Sequence, residues 1–559
     1  MYYTQNYKRM KRILITPDSE KLPDNQAHRD SWRVDEILLW NHDITSDLDN
    51  LKIEHNVVIF IPTILYSDNA LAYDGVELAL RIFFRYIKAN NAGIRIVLLG
   101  VECSNAFMQH YPYPNILKIP NFSYTYFNRT KVAQFMPEET PHLPEIEEYK
   151  HLIETLGIQM PSSFKSTHSM TNEWCLYKWS EFMGFESSDS DAISNSLYFD
   201  YLKALQSIEG IRAKGASEKL KNKIKELPEA GILLIDDNPN WHSFFSYFFA
   251  ESNIKFRAIG QDFKKLELEE VSKYIQDVVR QYKPDIILLD FRLTEDSDYN
   301  AESAEKISGA KLLKILKGTS GNPGVSFGSQ VVIFTATSRI ENILMLKNLG
   351  ADDFILKEKP SQYIGKKTTD EIIKEALKQF KTAINRAELL IPLNEKLRTI
   401  EEVSKRHVKA IGDNVRNYSY MTFQSVRNIT QNNSLSVDTL KLVYLNIFGI
   451  FEEIGRNSNY VDWSKGYNLN TAISSIIPNR IGKKVDDTEW NTIRKIRNQL
   501  VHNDKTIRKG KPEIPIDKLK VYTIKMLDLI QELMNPEKTK EETYDKAISK
   551  SGKPDRTRH

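Results

Sequence analysis

The sequence predicts a multidomain chain, with doubly wound parallel α/β sheets first and an all-α bundle after them. Three observations carry that expectation. Short β-branched-rich runs alternate with amphipathic stretches in two separate regions, as parallel sheets covered by helices require. Beyond Pro360 the pattern becomes almost wholly helical, and no glycine interrupts residues 368–411. With 559 residues, 41 % hydrophobic and 27 % charged, the chain is long enough to bury several cores.

Composition also excludes some classes. A net charge of +3 argues against a protein that coats nucleic acid, although a small basic site within one domain stays open. Cys103 and Cys175 are the only cysteines, too few and too far apart for a metal cluster or a disulfide framework. The first ten residues are polar and aromatic, unlike a secretory leader. No apolar run approaches the roughly 20 residues that span a bilayer. The expectation is a soluble, cytoplasmic protein with no membrane partner.

Residues 1–120 read as a first α/β domain. Strands are expected at 12–16 (RILIT), 57–61 (VVIFI), 94–99 (IRIVLL) and 116–119 (ILKI), with a packed helix at 76–89. Residues 121–228 read as a helical connector, with helices at 145–157, 171–184 and 196–226 and with Trp174 and Trp179 in a core. A second α/β domain follows at 229–365, with strands at 232–235, 254–259, 286–289, 331–334 and 353–356. Residues 366–535 read as the helical domain, entered through one long helix or a helical pair. The charged stretch 536–559 reads as a disordered tail.

In the second α/β domain, acidic residues stand at strand ends. Asp236 and Asp237 follow ILLI, and Asp290 follows IILL. Adjacent strand ends on the carboxyl edge of a parallel sheet converge where ligands bind. Three carboxylates gathered there repel one another unless a cation is present. Mg²⁺ suits oxygen ligands and keeps positions open for phosphate oxygens. Thr335 and Lys357 end the fourth and fifth strands, where a hydroxyl and an ammonium suit a phosphoryl group.

With its motifs IDD (235–237), IILLD (286–290), FTAT (334–337) and GADDFILK (350–357), the segment 229–362 resembles the flavodoxin-like receiver domain of response regulators. It covers about a quarter of the chain. The resemblance implies that Asp236, Asp237, Asp290 and the carbonyl of Arg292 hold Mg²⁺. It also implies that Asp290 accepts a phosphoryl group from a histidine kinase or phosphotransfer protein. Lys357 would neutralise that group, and Thr335 and Phe354 would form the switch pair. A degenerate receiver kept as a scaffold is the bland alternative. Two departures stand out: Glu358 follows Lys357 where the family has proline, and residues 294–308 are long and acidic.

The first domain, with VVIFI followed by DGVEL at 74–78, looks like a receiver without its acceptor. Ile61 or Pro62 would hold that position, and Thr16, Pro17 and Asp18 stand where the acidic pair belongs. An unrelated α/β domain is the other reading. Its role would be dimerisation or docking of a kinase or sensor.

In the helical domain, residues 490–503 read WNTIRKIRNQLVHN. Ile493, Ile496 and Leu500 share one helical face, while Asn498 and His502 lie four apart on another, beside Arg497. Arginine grips a phosphodiester, and histidine moves protons near neutral pH. The 2′-hydroxyl of RNA supplies the nucleophile, so no metal is required, and a cyclic phosphate and a 5′-hydroxyl are the expected products. This Arg-Asn-x-x-x-His pattern, in a helical setting over about 371–534, resembles the HEPN superfamily of metal-independent ribonucleases. The resemblance implies a homodimer, with Arg497, Asn498 and His502 as the catalytic set and RNA as substrate, and a place in stress or anti-phage defence. A helical output that dimerises or binds RNA without cutting it is the alternative. A transcription factor fits poorly, since neither a winged-helix pattern nor a basic recognition helix is present.

Overall fold

The β-branched runs of the sequence form two parallel sheets, and in both of them the apolar residues of the central strands are buried on both faces, as the alternation with helices requires. The structure is a computed structural model. It describes residues 10–17, 26–40, 57–65, 73–87, 94–111, 113–135, 145–161, 167–185, 196–208, 215–263, 266–293, 298, 303–319, 322–323, 328–336, 339–359, 368–407, 418, 421–422, 437–456, 463–465, 471, 487–501 and 514–534. The chain divides into two units, Met1–Glu218 with Lys357–Lys374, and Lys219–Leu356 with Glu375–His559.

The first unit begins with β1 (Lys11–Pro17), α1 (Gln26–Trp32), β2 (Glu36–Trp40), β3 (Val57–Pro62), α2 (Asp74–Tyr86), β4 (Ile94–Gly100) and α3 (Ser104–His110). It continues with β5 (Phe122–Tyr126), α4 (Arg129–Gln134), α5 (Ile146–Glu154), α6 (Thr167–Met183) and α7 (Leu197–Ile208). All strands are parallel, in the order β2-β1-β3-β4-β5. Successive residues of a strand face opposite sides. Ile13, Ile15, Ile59, Ile61, Ile96 and Leu98 therefore pack towards α2 and α7, and Leu14, Val58, Phe60, Val97 and Leu99 pack with Trp32 and Val132.

Three expectations are corrected here. Residues 116–119 form no strand. Ile116–Lys118 is a single 3-10 turn before Pro120, and the edge strand is β5, which pairs with β4 from Ile96↔Phe122 to Gly100↔Tyr126. Strand β2 was not foreseen. The helical stretch 196–226 is two helices, α7 and then α8 (Glu218–Lys225). The boundary at 120 also does not mark the end of the sheet, because β5 lies beyond it. Helices α5, α6 and α7 contribute Tyr149, Ile153, Trp174, Phe199 and Leu202 to the same core as β3 and β4.

The second unit contains β6 (Ala230–Ile235), α9 (Pro239–Phe249), β7 (Ile254–Ile259), α10 (Leu268–Tyr282), β8 (Ile286–Asp290) and α11 (Ser308–Lys317). A two-residue hairpin, β9 (Gly318–Thr319) and β10 (Asn322–Pro323), precedes β11 (Gln330–Thr335), α12 (Ile340–Asn348) and β12 (Asp353–Leu356). The order β7-β6-β8-β11-β12, all parallel, is the 2-1-3-4-5 arrangement of the flavodoxin-like class. Leu233, Ile235, Ile287, Leu289, Val331 and Ile333 pack with α10, α11 and α12. The opposite face is aromatic: Phe334 meets Trp241 and Phe245 of α9 at ring-centroid distances of 4.7 and 5.4 Å.

Residues 369–407 form one helix, α13 (Thr369–His407), rather than a pair, although Pro392 lies inside it. Phe380 of α13 packs on Phe245 and Phe249. Farther along, Leu389, Leu390, Leu393, Leu397 and Ile400 share a core with three more helices. These are α14 (Val437–Arg456), α15 (Asp487–Val501) and α16 (Ile516–Met534). Within that bundle the Tyr444 hydroxyl donates to the carbonyl of Ile493 at 2.9 Å. Among the described residues, no helix is long and apolar enough to cross a membrane.

Candidate functional site

The carboxyl edge of the second sheet gathers the predicted acceptor region by register. Strand β6 pairs with β8 through Ile235↔Leu289, so Asp236 and Asp290 leave neighbouring strand ends side by side. On the other flank Asp290 is paired with Phe334, and Thr335 is the next residue. Asp236, Asp237, Asp290 and Thr335 are all buried.

Local backbone chemistry fixes the carboxylates of Asp236 and Asp290. The amide of Asn238 donates to Asp236 Oδ1 at 2.9 Å, while the Asn238 side chain caps α9 by accepting from the Asn240 amide. Pro239 at the first helical position loses no intrahelical bond. The His242 Nε2–H donates to the carbonyl of Asp236 at 2.6 Å. Asp290 Oδ2 accepts from the Arg292 amide at 3.0 Å.

Two glycines let other segments approach these acids. Gly260 has φ +130°, and a Cβ there would sit 2.2 Å from the carbonyl oxygen of Asp236. A Cβ at Gly309 would lie 2.6 Å from the carbonyl oxygens of both Asp290 and Phe291. Beside it, Ser308 opens α11. Its amide donates to Asp298 Oδ1 at 2.8 Å, and its hydroxyl donates to Asp298 Oδ2. Of the long acidic stretch 294–308, Asp298 thus has a defined job, holding the helix that backs Asp290. Neither glycine nor Asp298 was singled out from the sequence, though Gly309 follows a serine at a helix start.

The donor set suits a hard divalent cation, being carboxylate oxygens on one sheet edge. Among the described residues, no three His, Cys, Asp or Glu side chains are already drawn around one cation position. Phe354 lies on β12, half-buried at the margin of the core formed with α10 and α11.

In the first sheet, β3 ends at Pro62 and is followed by Thr63, so no carboxylate stands at the corresponding strand end. Asp74, at the start of α2, instead accepts from the amides of Leu65 and Gly75 at 2.7 and 3.0 Å. Pro17 ends β1, and Asp18 lies outside the described residues.

The first unit also includes Lys357 and the residues after it. The Lys357 ammonium donates to Asn172 Oδ1 of α6 at 2.5 Å. Next along, the Glu358 amide donates to Cys175 Sγ at 3.0 Å, and Glu358 Oε1 accepts from the Thr369 hydroxyl at 3.1 Å. Burial pushes the Cys175 thiol well above its ordinary value, so it stays protonated. Sequence reasoning missed this clasp.

In the helical bundle, Ile493 and Ile496 of α15 are buried and Leu500 is partly so, as their spacing predicts. Asn498 is exposed on the other face. Arg497 Nη2 lies 3.4 Å from Glu452 Oε1, and its guanidinium stands 5.5 Å over the ring of Phe448, both on α14. Helix α15 ends at Val501, and His502 lies outside the described residues.

No family model matches the chain, and no curated protein matches it. Among solved structures the chain is similar to the signal receiver domain of a Luxo repressor protein from Vibrio parahaemolyticus. The identity is 16 % over 28 % of this chain and 93 % of that one, with a TM-score of 0.19. It is also similar to NtrX from Brucella abortus in complex with ADP, at 19 % identity over 32 % of this chain and 34 % of that one, with a TM-score of 0.19.

Proposed function

We propose that the chain is a two-component response regulator in which Asp290 accepts a phosphoryl group from a histidine kinase or phosphotransfer protein. The observation that carries the reading is the register that sets Asp236, Asp290 and the Phe334–Thr335 pair side by side on one carboxyl edge. An Asp290 carboxylate oxygen attacks phosphorus, the P–N bond of the donor phosphohistidine breaks, and the departing imidazole takes its proton from solvent. Asp236, Asp237, Asp290 and the carbonyl of Arg292 would hold Mg²⁺, which when bound neutralises the charge on the transferring group. Thr335 offers its hydroxyl and Lys357 its ammonium to the phosphoryl oxygens. Acetyl phosphate should label the wild type and leave Asp290→Asn unlabelled; equal labelling of both overturns the assignment.

The output, in this reading, is metal-independent RNA cleavage by Arg497, Asn498 and His502, completed in a homodimer and serving stress or anti-phage defence. The aromatic chain Phe334–Phe245–Phe380 connects the sheet edge with α13, which runs on into the helical core. A second reading has the bundle bind RNA or a partner without cutting. It draws on the placement of Arg497 against Glu452 and Phe448, which gives the guanidinium a structural role. Expression of wild type beside His502→Ala separates them: loss of RNA integrity with the wild type alone supports cleavage, and identical outcomes support binding.

A further inference from the structure

We infer that Ser308 and Asp298 are positioning residues for the proposed cation site, aiming the Arg292 carbonyl by holding the other end of its peptide plane. The inference rests on the receiver reading and deepens it.

The turn after β8 is held at successive backbone groups. The Arg292 amide donates to Asp290 Oδ2 at 3.0 Å, and the Phe291 carbonyl accepts from the Gly309 amide at 3.2 Å. The next amide, that of Leu293, donates to Ser308 Oγ at 2.9 Å. The Arg292–Leu293 peptide is planar and trans, so its N–H and C=O point in opposite directions. Holding the Leu293 N–H on Ser308 therefore fixes the direction of the Arg292 carbonyl.

Asp298 makes Ser308 an acceptor. A hydroxyl has one hydrogen and two lone pairs, whereas an amide N–H can only donate. The Ser308 oxygen must receive the Leu293 hydrogen on a lone pair. Its own hydrogen goes to Asp298 Oδ2, while Asp298 Oδ1 accepts from the Ser308 amide at 2.8 Å. Asp298 thus sets the hydroxyl rotor as well as the backbone from which it projects. Leu293, Ser308 and Asp298 are 0, 2 and 3 % exposed, so water offers no ready substitute for a lost partner. Besides opening α11, Asp298 acts in this way on the sheet edge.

A carbonyl already held in place need not be ordered when a cation arrives. A freed peptide must be, at the expense of affinity. The test uses Mn²⁺, a hard cation that shares the preference of Mg²⁺ for carboxylate and carbonyl oxygens. It is titrated into the full-length protein, and the free ion is counted by electron paramagnetic resonance. Ser308→Ala should weaken binding about fivefold, the lower end of what ordering one backbone residue costs. Ser308→Thr keeps the hydroxyl and should bind as the wild type does. Asp298→Asn keeps an acceptor for the Ser308 amide but disturbs the hydroxyl, and should weaken binding less than Ser308→Ala. In the Ser308→Ala background it should add nothing, because the hydroxyl through which it acts is gone. A loss of stability alone moves the urea midpoint and leaves the Mn²⁺ constant of the folded protein where it was. Wild-type binding by Ser308→Ala or by Asp298→Asn overturns the inference. So does an Asp298→Asn effect that persists without the hydroxyl, or a Ser308→Thr constant as weak as that of Ser308→Ala. Asp236→Asn separates the two readings. If it binds Mn²⁺ as the wild type does, the receiver reading fails and takes this inference with it; if it loses the ion while Ser308→Ala keeps it, only the role of Ser308 and Asp298 falls.

Discussion

Replacing Glu358 by glutamine isolates the energetic cost of the clasp. Glu358 is 6 % exposed. Burial pushes its carboxyl from 4.5 up to about 7; Lys178, the Thr369 hydroxyl and the Trp179 indole offset part of that rise, and Glu181 adds to it. Below pH 4.5 the carboxyl is protonated in both folded and unfolded chains, and it costs nothing. Between pH 4.5 and 7 the unfolded chain loses the proton while the folded one keeps it, so stability falls as pH rises. A shift from 4.5 to about 7 at 1.36 kcal/mol per unit gives a penalty of about 3 kcal/mol at its limit above pH 7. Glutamine keeps the acceptor for Thr369 and carries no charge. Glu358→Gln should therefore match the wild type near pH 4 and exceed it progressively to pH 8, by up to about 3 kcal/mol. Urea unfolding midpoints of both proteins at pH 4, 5, 6, 7 and 8 measure the difference. A constant gap, or one that shrinks with rising pH, refutes a protonated buried carboxyl.

Other substitutions probe the sheet edge and the bundle. Lys317 pairs with Asp352 Oδ2, a side chain that is 1 % exposed and that burial holds above the usual carboxylate range. Lys317→Met should cost about 3 kcal/mol by leaving that acid alone, and Asp352→Asn in the same chain should recover part of it, both read from denaturant unfolding. Gly309→Ala drives a methyl group into the carbonyls of Asp290 and Phe291. It should cost about 1–3 kcal/mol and slow acetyl phosphate labelling; wild-type labelling would show that the helix start does not position Asp290. Arg497→Ala breaks an ion pair of 3.4 Å whose side chains are 30 % and 25 % exposed. It should change stability by no more than about 1 kcal/mol, so any loss of RNA cleavage by the purified protein reports on function rather than unfolding.

The receiver-like strands were legible because parallel strands covered by helices on both sides must be apolar throughout, and Asp236 and Asp290 interrupt that rule at its end. The same rule misled at 116–119. Four apolar-rich residues suit a strand or a turn equally, and Ile116 and Ile119 are buried by packing in the first unit's core without sheet pairing. The edge strand FSYTY has mixed polarity because its residues beyond Phe122 are only partly covered, and this hid it. The asparagine that takes Lys357 could not be found by spacing, since it lies 185 residues away in the chain.

Residue order alone set the two sheets apart from the helical bundle, put carboxylates at strand ends, and kept α13 free of glycine, because burial and backbone hydrogen bonding impose periods that local sequence must obey. It could not choose which distant side chain meets another. Folding decided that Asp290 stands between Asp236 and the Phe334–Thr335 pair, that Gly260 and Gly309 touch the acid-bearing backbone, and that Arg497 rests on Glu452 and Phe448. Those pairings depend on how packed layers fit together, and packing is a property of shape in three dimensions that no linear period encodes.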